Sequence, residues 1–338
     1  MSTPERPAGG QVDSDTPLME VVGDRVDLKL GFSCNNRCRF CVQGDKRLRL
    51  ADLDTAELRI RLADARAHAD NIVFTGGEVT LRADLLELVA HAKELGFGTI
   101  QIQTNGRMLA YRKNCEELIA AGANEFSPAL HGHTAELHDY LTRAKGSFAQ
   151  TSRGIRNLKN LGQPVITNSV ITRSNYRHLP ALARLLLRLD VDQYQLAFVH
   201  PLGSALESFH SVVPRLTLVA QYVAEALDLG IHNRRVVMTE AIPPCFLPGR
   251  ERYIAERIMP ETRVYDAKVV VESYTQYRLT EGKAKGPRCP DCAWNDQCEG
   301  PWREYPDHYG WDEFVPVKDK ANPPFGHLPG YRLPRRRR

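Results

Sequence analysis

A chain of 338 residues with 42% apolar side chains has material for one large domain and a small one, and is neither a disordered nor a fibrous composition. Much of the modest net charge of +4 comes from the run Arg335 to Arg338, a solvated tail and no nucleic-acid surface. No apolar stretch reaches the roughly 18 residues of a bilayer span, and eight cysteines without an export signal argue against a disulfide framework and for metal chemistry in a reducing, cytoplasmic setting.

In chain order, residues 1–22 are polar and rich in Gly, Pro and Asp, the composition of a disordered N-terminal segment. From Val26 short β-branched or apolar runs alternate with amphipathic stretches, the rhythm of an α/β fold with βα units around a parallel sheet. Strands are expected at Val26–Leu30, Asn71–Phe74, Thr99–Gln103, Glu125–Leu130, Pro164–Ile171 and Gln193–Phe198. The first two long helices bury Leu58, Leu62 and Ala65, then Leu85, Val89, Ala92 and Leu95, each at helical spacing. After about residue 213 the rhythm weakens: a helix at Leu216–Leu229 precedes Val236–Met238, a helix near Arg252–Ile258 and a strand near Lys268–Val271. Residues 23–213 are thus the core, 214–315 a smaller C-terminal region, and 316–338 a Pro- and Arg-rich tail.

The chemistry concentrates in two cysteine groups. Cys34, Cys38 and Cys41 follow the first strand on a loop short enough to turn three thiolates to one point, the geometry of an iron–sulfur cluster. A missing fourth thiol leaves one iron open to an outside ligand, which suits catalysis. Zinc is the alternative, but its knuckles usually have two or four intervening residues. The second group is Cys245 with Cys289, Cys292 and Cys298, four thiolates that could close a cluster completely or hold a structural zinc. Cys115, in a helical stretch, is expected to be a buried free thiol.

Parallel βα barrels place their chemistry after the carboxyl ends of the strands. There the second strand leads into Gly76-Gly77-Glu78, whose glycines allow close backbone approach and whose carboxylate suits a cationic amine. Asn105 follows the third strand, Ser127, His131 and His133 close the fourth, and Asn168 and Ser169 interrupt the apolar fifth. Val199 to Gly203 form a fixed turn after the sixth.

The Cys-x3-Cys-x2-Cys spacing with Phe40 before the last thiol resembles the radical S-adenosylmethionine superfamily. The resemblance implies a partial (β/α)6 TIM-like barrel, a [4Fe-4S] cluster on Cys34, Cys38 and Cys41, and S-adenosylmethionine bound on its open iron. Phe40, Gly76, Gly77, Glu78, Asn105, Ser127, Asn168 and Ser169 are then candidate cofactor contacts, with Glu78 on the methionine amine. The later cysteines look like the small C-terminal iron–sulfur cap called SPASM, in its truncated Twitch form, with Trp302 where the fuller form has a further cysteine. That implies an auxiliary [4Fe-4S] cluster on Cys245, Cys289, Cys292 and Cys298. The implied partners are a flavodoxin- or ferredoxin-type reductant and a ribosomal peptide or small molecule; no nucleic acid or membrane is expected. The non-enzymatic alternative is an electron carrier or zinc scaffold. Catalytic side chains are not identifiable.

Overall fold

The computed structural model describes residues 24–320 except Lys268, so segment 1–22, residues 321–338 of the tail and the start of the strand expected near Lys268 lie outside the described residues. All six expected strands form: β1 (Arg25–Lys29), β2 (Asn71–Thr75), β3 (Thr99–Thr104), β4 (Glu125–Pro128), β5 (Ile166–Ile171) and β6 (Gln193–Phe198). β1 to β4 pair in parallel in one sheet, and β5 pairs with β6 in a second. Parallel bridges from Phe126 to Val165 and from Ala129 to Asn168 join β4 to β5.

Three further strands form among the described residues. β7 (Val236–Glu240) pairs in parallel with β6, and β8 (Thr262–Asp266) returns to pair in parallel with the free side of β1. β9 (Val269–Val271) then folds back antiparallel on β8. Parallel pairing therefore continues past residue 213. Between β7 and β8, Pro243, Pro244 and Pro260 interrupt the chain, so the expected helix near Arg252–Ile258 becomes two 3₁₀ turns, Glu251–Tyr253 and Ala255–Arg257. No ladder among the described residues joins β7 to β8.

Alternation along each strand separates two faces. Val26 and Leu28, Ile72 and Phe74, and Ile100 and Ile102 are buried in a core with Leu58 and Leu62 of helix Thr55–Arg66 and with Leu88, Val89 and Ala92 of helix Leu85–Glu94. The Asp54 carboxylate caps the first of these helices by accepting from the Glu57 N–H at 2.8 Å. The opposite, inner face carries Arg25, Asp27 and Lys29 of β1 and Gln101 and Gln103 of β3, all partly exposed. Cys115 is buried in the core, its thiol directed at the Leu109 carbonyl.

Candidate functional site

The loop after β1 is fixed by backbone bonds to three elements. The β1–β2 ladder runs on past both strands: the Gly77 N–H donates to Gly31 O at 2.8 Å and the Glu78 N–H to Ser33 O at 2.8 Å. The N–H groups of Arg37 and Arg39 donate to Thr142 and Leu141 at the end of helix Ala135–Thr142, each at 2.9 Å, and the Ser204 N–H donates to Cys41 O at 3.0 Å. The turn after β6 thus buttresses the last cysteine. Asp52, which sequence reasoning missed, accepts from the N–H groups of Phe32 at 2.7 Å and Ser33 at 3.1 Å. Its partial burial works the other way, but these bonds hold its carboxyl below the usual range.

This packing explains the glycines. A Cβ on Gly76 would lie 2.3 Å from Gly31 O, and one on Gly77 2.3 Å from Ser33 O. The close approach they permit is to the cysteine loop itself. Burial pushes the Cys38 and Cys34 thiols up, and the nearby Cys41 thiolate adds to it in both. Two buried thiols that resist ionisation need a cationic group to hold them as thiolates.

Glu78 is placed differently from the expectation of an open acceptor. It is 2% exposed. Its Oε1 accepts from the Thr104 hydroxyl at 2.5 Å, the Thr80 hydroxyl at 2.5 Å and the Thr80 N–H at 3.1 Å, and Oε2 accepts from the Asn105 N–H at 2.6 Å. Four bonds nearly fill a carboxylate's capacity, so Glu78 ties the loop after β2 to the end of β3. Asn105 in turn donates from its amide to Asn35 Oδ1 at 2.6 Å. Arg107, also missed, donates to Asn35 O at 2.6 Å and Asn36 Oδ1 at 3.1 Å. Phe40 is buried edge-on against the His131 ring, centroids 4.7 Å apart.

Asn168 and Ser169 do not share a face. Ser169 is fully buried and donates to Leu130 O at 2.6 Å, a structural bond between β5 and the loop after β4. Asn168 lies on the inner face, its Oδ1 buried without a partner. Ser127 is 6% exposed on β4, opposite Gln103 in the β3 register. His131, expected at the rim, is buried: Nδ1 accepts from the Val170 N–H at 3.1 Å, and burial with the stacked His138 keeps it neutral. His133 does reach the rim, stacked on His178.

The inner face is polar. Thr75 donates to Gln103 at 2.7 Å, Gln101 donates to Glu125, Gln195 donates to Glu240, and Lys29 pairs with Asp266 at 2.7 Å. Glu240 is surrounded by protein yet keeps accessible surface. Burial, with Glu256 adding, pushes its carboxyl up to about 7. Polar residues at every second position of β1 and β3, with Gln193 and Gln195 in β6, were the available signal, because a fully buried parallel strand reads as a continuous apolar run.

The second cysteine group comes together. Cys245, from the loop after β7, and Cys289, Cys292 and Cys298 line one recess of about 420 Å³ outside protein atoms, with Pro243, Trp294 and Phe314. Burial, and then the three other thiols, pushes Cys245 up. Backbone N–H groups of Gly286, Gly300 and Val317 donate to the sulfurs of Cys289, Cys298 and Cys292 at 3.2, 3.3 and 3.4 Å. Among the described residues, no three Cys, His, Asp or Glu side chains stand in the arrangement of a single-ion site.

Residues 28–186 match the family described as the Radical SAM superfamily. The chain is 31% identical over 178 residues to the AdoMet-dependent heme synthase of Oleidesulfovibrio alaskensis, covering 52% of this chain and 45% of that protein. It is 31% identical over 201 residues to the PqqA peptide cyclase of Rhodopseudomonas palustris, covering 59% and 53%. The chain thus spans about half the length of these curated relatives. In structure it is similar to Streptococcus suis SuiB bound to S-adenosylmethionine, with a TM-score of 0.59 over 85% of this chain and 73% of that one; at 14% identity the likeness is one of fold.

Proposed function

Since residues 28–186 of this chain form a radical SAM domain, we propose that the protein is a radical S-adenosylmethionine enzyme acting on a ribosomal peptide or a small molecule held on the inner face of the sheet. Its support is the loop of Cys34, Cys38 and Cys41, pinned by backbone bonds to the turns after β2 and β6. With an iron–sulfur cluster and S-adenosylmethionine bound, such a site supplies an electron that cleaves the sulfonium and a 5′-deoxyadenosyl radical that takes a substrate hydrogen atom.

The three cysteines would hold the cluster, with Phe40 packed behind them. Gly76, Gly77, Asn105, Ser127 and Asn168 are the proposed cofactor contacts. Glu78 acts by holding Asn105 and Thr104 in place, and Ser169 by fixing the loop after β4. Asn168, with an unpartnered oxygen, and the amide–carboxylate pairs Gln101–Glu125 and Gln195–Glu240 give the inner face the hydrogen-bonding capacity that a polar substrate needs. Likeness to a peptide cyclase favours a peptide, and likeness to a heme synthase a small molecule.

Residues 214–315 would complete the barrel and carry a Twitch-like site on Cys245, Cys289, Cys292 and Cys298, holding an auxiliary [4Fe-4S] cluster. Four thiols around one recess are enough to close a cluster completely. A flavodoxin- or ferredoxin-type protein is the proposed reductant.

Anaerobic reconstitution followed by reduction in the presence of S-adenosylmethionine tests the reading. We expect 5′-deoxyadenosine, and product from a candidate peptide or small molecule. A fully iron-loaded, reduced preparation that releases no 5′-deoxyadenosine with or without such substrates would mean an electron carrier or scaffold.

A further inference from the structure

We propose that the exposed face carrying Arg37, Arg39, Arg47 and Arg143 is where an acidic electron-carrier protein docks to reduce the group on Cys34, Cys38 and Cys41; this rests on the reading of those thiols as an iron–sulfur site.

Two stretches distant in sequence build this face. Arg37 and Arg39 flank Cys38, and their N–H groups hold the loop to the end of helix Ala135–Thr142. The Arg39 guanidinium also donates to Tyr140 O at 3.1 Å and lies 4.0 Å from the centre of the Tyr140 ring. Arg47, in the short helix Lys46–Arg49, donates to Asn36 O at 3.1 Å. Arg143 follows Thr142, the acceptor of the Arg37 N–H, and ends its helix in the left-handed conformation at φ 52°. The four arginines thus border the cysteine loop and the helix that it leans on.

Their charge is not spent inside the molecule. Among the described residues none of the four guanidinium groups has a carboxylate in ion-pair range. The neighbouring acids are already engaged: Asp45 pairs with Arg49 at 2.7 Å, and Asp139 accepts from the Gly146 N–H at 2.6 Å, the Phe148 N–H at 2.8 Å and the Ser147 hydroxyl at 2.9 Å. Glu136, a turn before Tyr140, is exposed and in no ion pair, which leaves four free guanidinium groups against one free carboxylate in these stretches. Apolar side chains stand in water beside them: Leu48 is 81% exposed, Tyr140 49% and Val42 45%. Arginine and tyrosine with exposed apolar groups are the composition of a protein interface. Charge selects the partner, because a surplus of guanidinium attracts an anionic surface and speeds its encounter. Position selects the event, because this face borders the loop whose cluster must take an electron from outside. The step is a transfer of one electron: the carrier is oxidised by one, the cluster is reduced by one, and no bond forms or breaks between the two proteins.

The test uses the full chain, reconstituted anaerobically with both cysteine groups intact, and two reductants: flavodoxin kept reduced by its reductase and NADPH, and sodium dithionite, which needs no docked complex. 5′-Deoxyadenosine formation from S-adenosylmethionine is measured with each at low and at high salt. With the parent, the flavodoxin-driven rate should fall as salt rises. Arg143→Asp, a residue that tolerates the left-handed backbone, combined with Leu48→Glu should lower the flavodoxin-driven rate at low salt by roughly tenfold or more and flatten its salt dependence, while the dithionite-driven rate and the iron content stay at the parent's. Arg143→Lys, which keeps the charge, should keep the flavodoxin-driven rate. Arg37→Gln, at a side chain with no bond among the described residues, is measured alongside in case the double variant loses iron; it should slow the flavodoxin-driven reaction alone. Flavodoxin-driven rates equal to the parent's in iron-loaded variants, or rates lowered alike with both reductants, would overturn the docking face and leave the cluster reading standing. A parent protein that forms no 5′-deoxyadenosine with either reductant would overturn both.

Discussion

The two cysteine groups solve the same problem in opposite ways. Cys34, Cys38 and Cys41 sit on one continuous loop, and their shape comes from outside: backbone bonds from the turns after β2 and β6 and from helix Ala135–Thr142, with Asp52 beneath. Cys245, Cys289, Cys292 and Cys298 come from segments far apart in sequence, and their shape comes from within, through N–H groups aimed at three of the sulfurs and an apolar lining. The first group leans largely on elements distant in sequence and the second largely on backbone beside its own cysteines, and this makes the two regions separable by experiment.

The sharpest separation is removal of the thiols. Changing Cys34, Cys38 and Cys41 together to Ala should abolish 5′-deoxyadenosine formation and leave about half the iron, as a four-iron cluster seen by Mössbauer spectroscopy. Loss of all iron would break the comparison. Next come two glycines. Gly77→Ala drives a Cβ into Ser33 O, and Gly300→Ala drives one into Ala284 O, backbone atoms that cannot step aside. Each should cost about 1–3 kcal/mol or more. Iron analysis should find the first variant depleted at the first site alone and the second at the second site alone.

Acid should not tell the regions apart. Burial holds His138, behind the first loop, to about 4, and burial, with Lys283 adding, holds His200, beside Trp302, to about 3. Both folded values lie below the ordinary 6.5, so the fold favours the neutral rings. That stability is complete above about pH 6.5 and is lost as pH falls toward 4 and 3. For His138 the difference amounts to roughly 3 kcal/mol. Urea midpoints measured from pH 7 to pH 4 should fall, and iron should leave both sites together; release from one site first would show that the histidines are not equivalent. The smallest effect is expected of Glu78→Gln, which sets an amide against Thr104, Thr80 or Asn105. A charge-assisted bond contributes about 1.5–3 kcal/mol, so the urea midpoint and first-site iron retention should drop while second-site iron is unchanged. An unchanged midpoint with weakened S-adenosylmethionine binding would return Glu78 to the role of a direct amine acceptor.

Local spacing was the legible part of the chain. Three thiols in eight positions, a Gly-Gly-Glu turn after a strand, and helix faces such as Leu58, Leu62 and Ala65 all express short-range geometry, and each lies where the pattern put it. Partners distant in sequence were not legible. Nothing near Glu78 announces that Thr104 and Asn105 will consume its carboxylate, and nothing near Thr262 announces that β1 has a vacant side. Ser169 was misjudged for a simpler reason: neighbours in a strand point to opposite faces, so only one of Asn168 and Ser169 could meet a ligand on the inner face.

The return of β8 to β1 also bears on how the molecule is made. Lys29 and Asp266, which join the ends of these strands, are 237 residues apart. At a synthesis rate of about 5–20 residues per second, β1 waits roughly 10–50 s for its second neighbour. Throughout that interval a sheet edge bearing unpaired N–H and C=O groups stands open beside a loop of three thiols. Contacts of such long range are slow to form. The nascent chain is therefore most exposed to mispairing and to oxidation at the place where its chemistry will later reside, and a cell producing it would need to shelter that edge until residue 266 has left the ribosome.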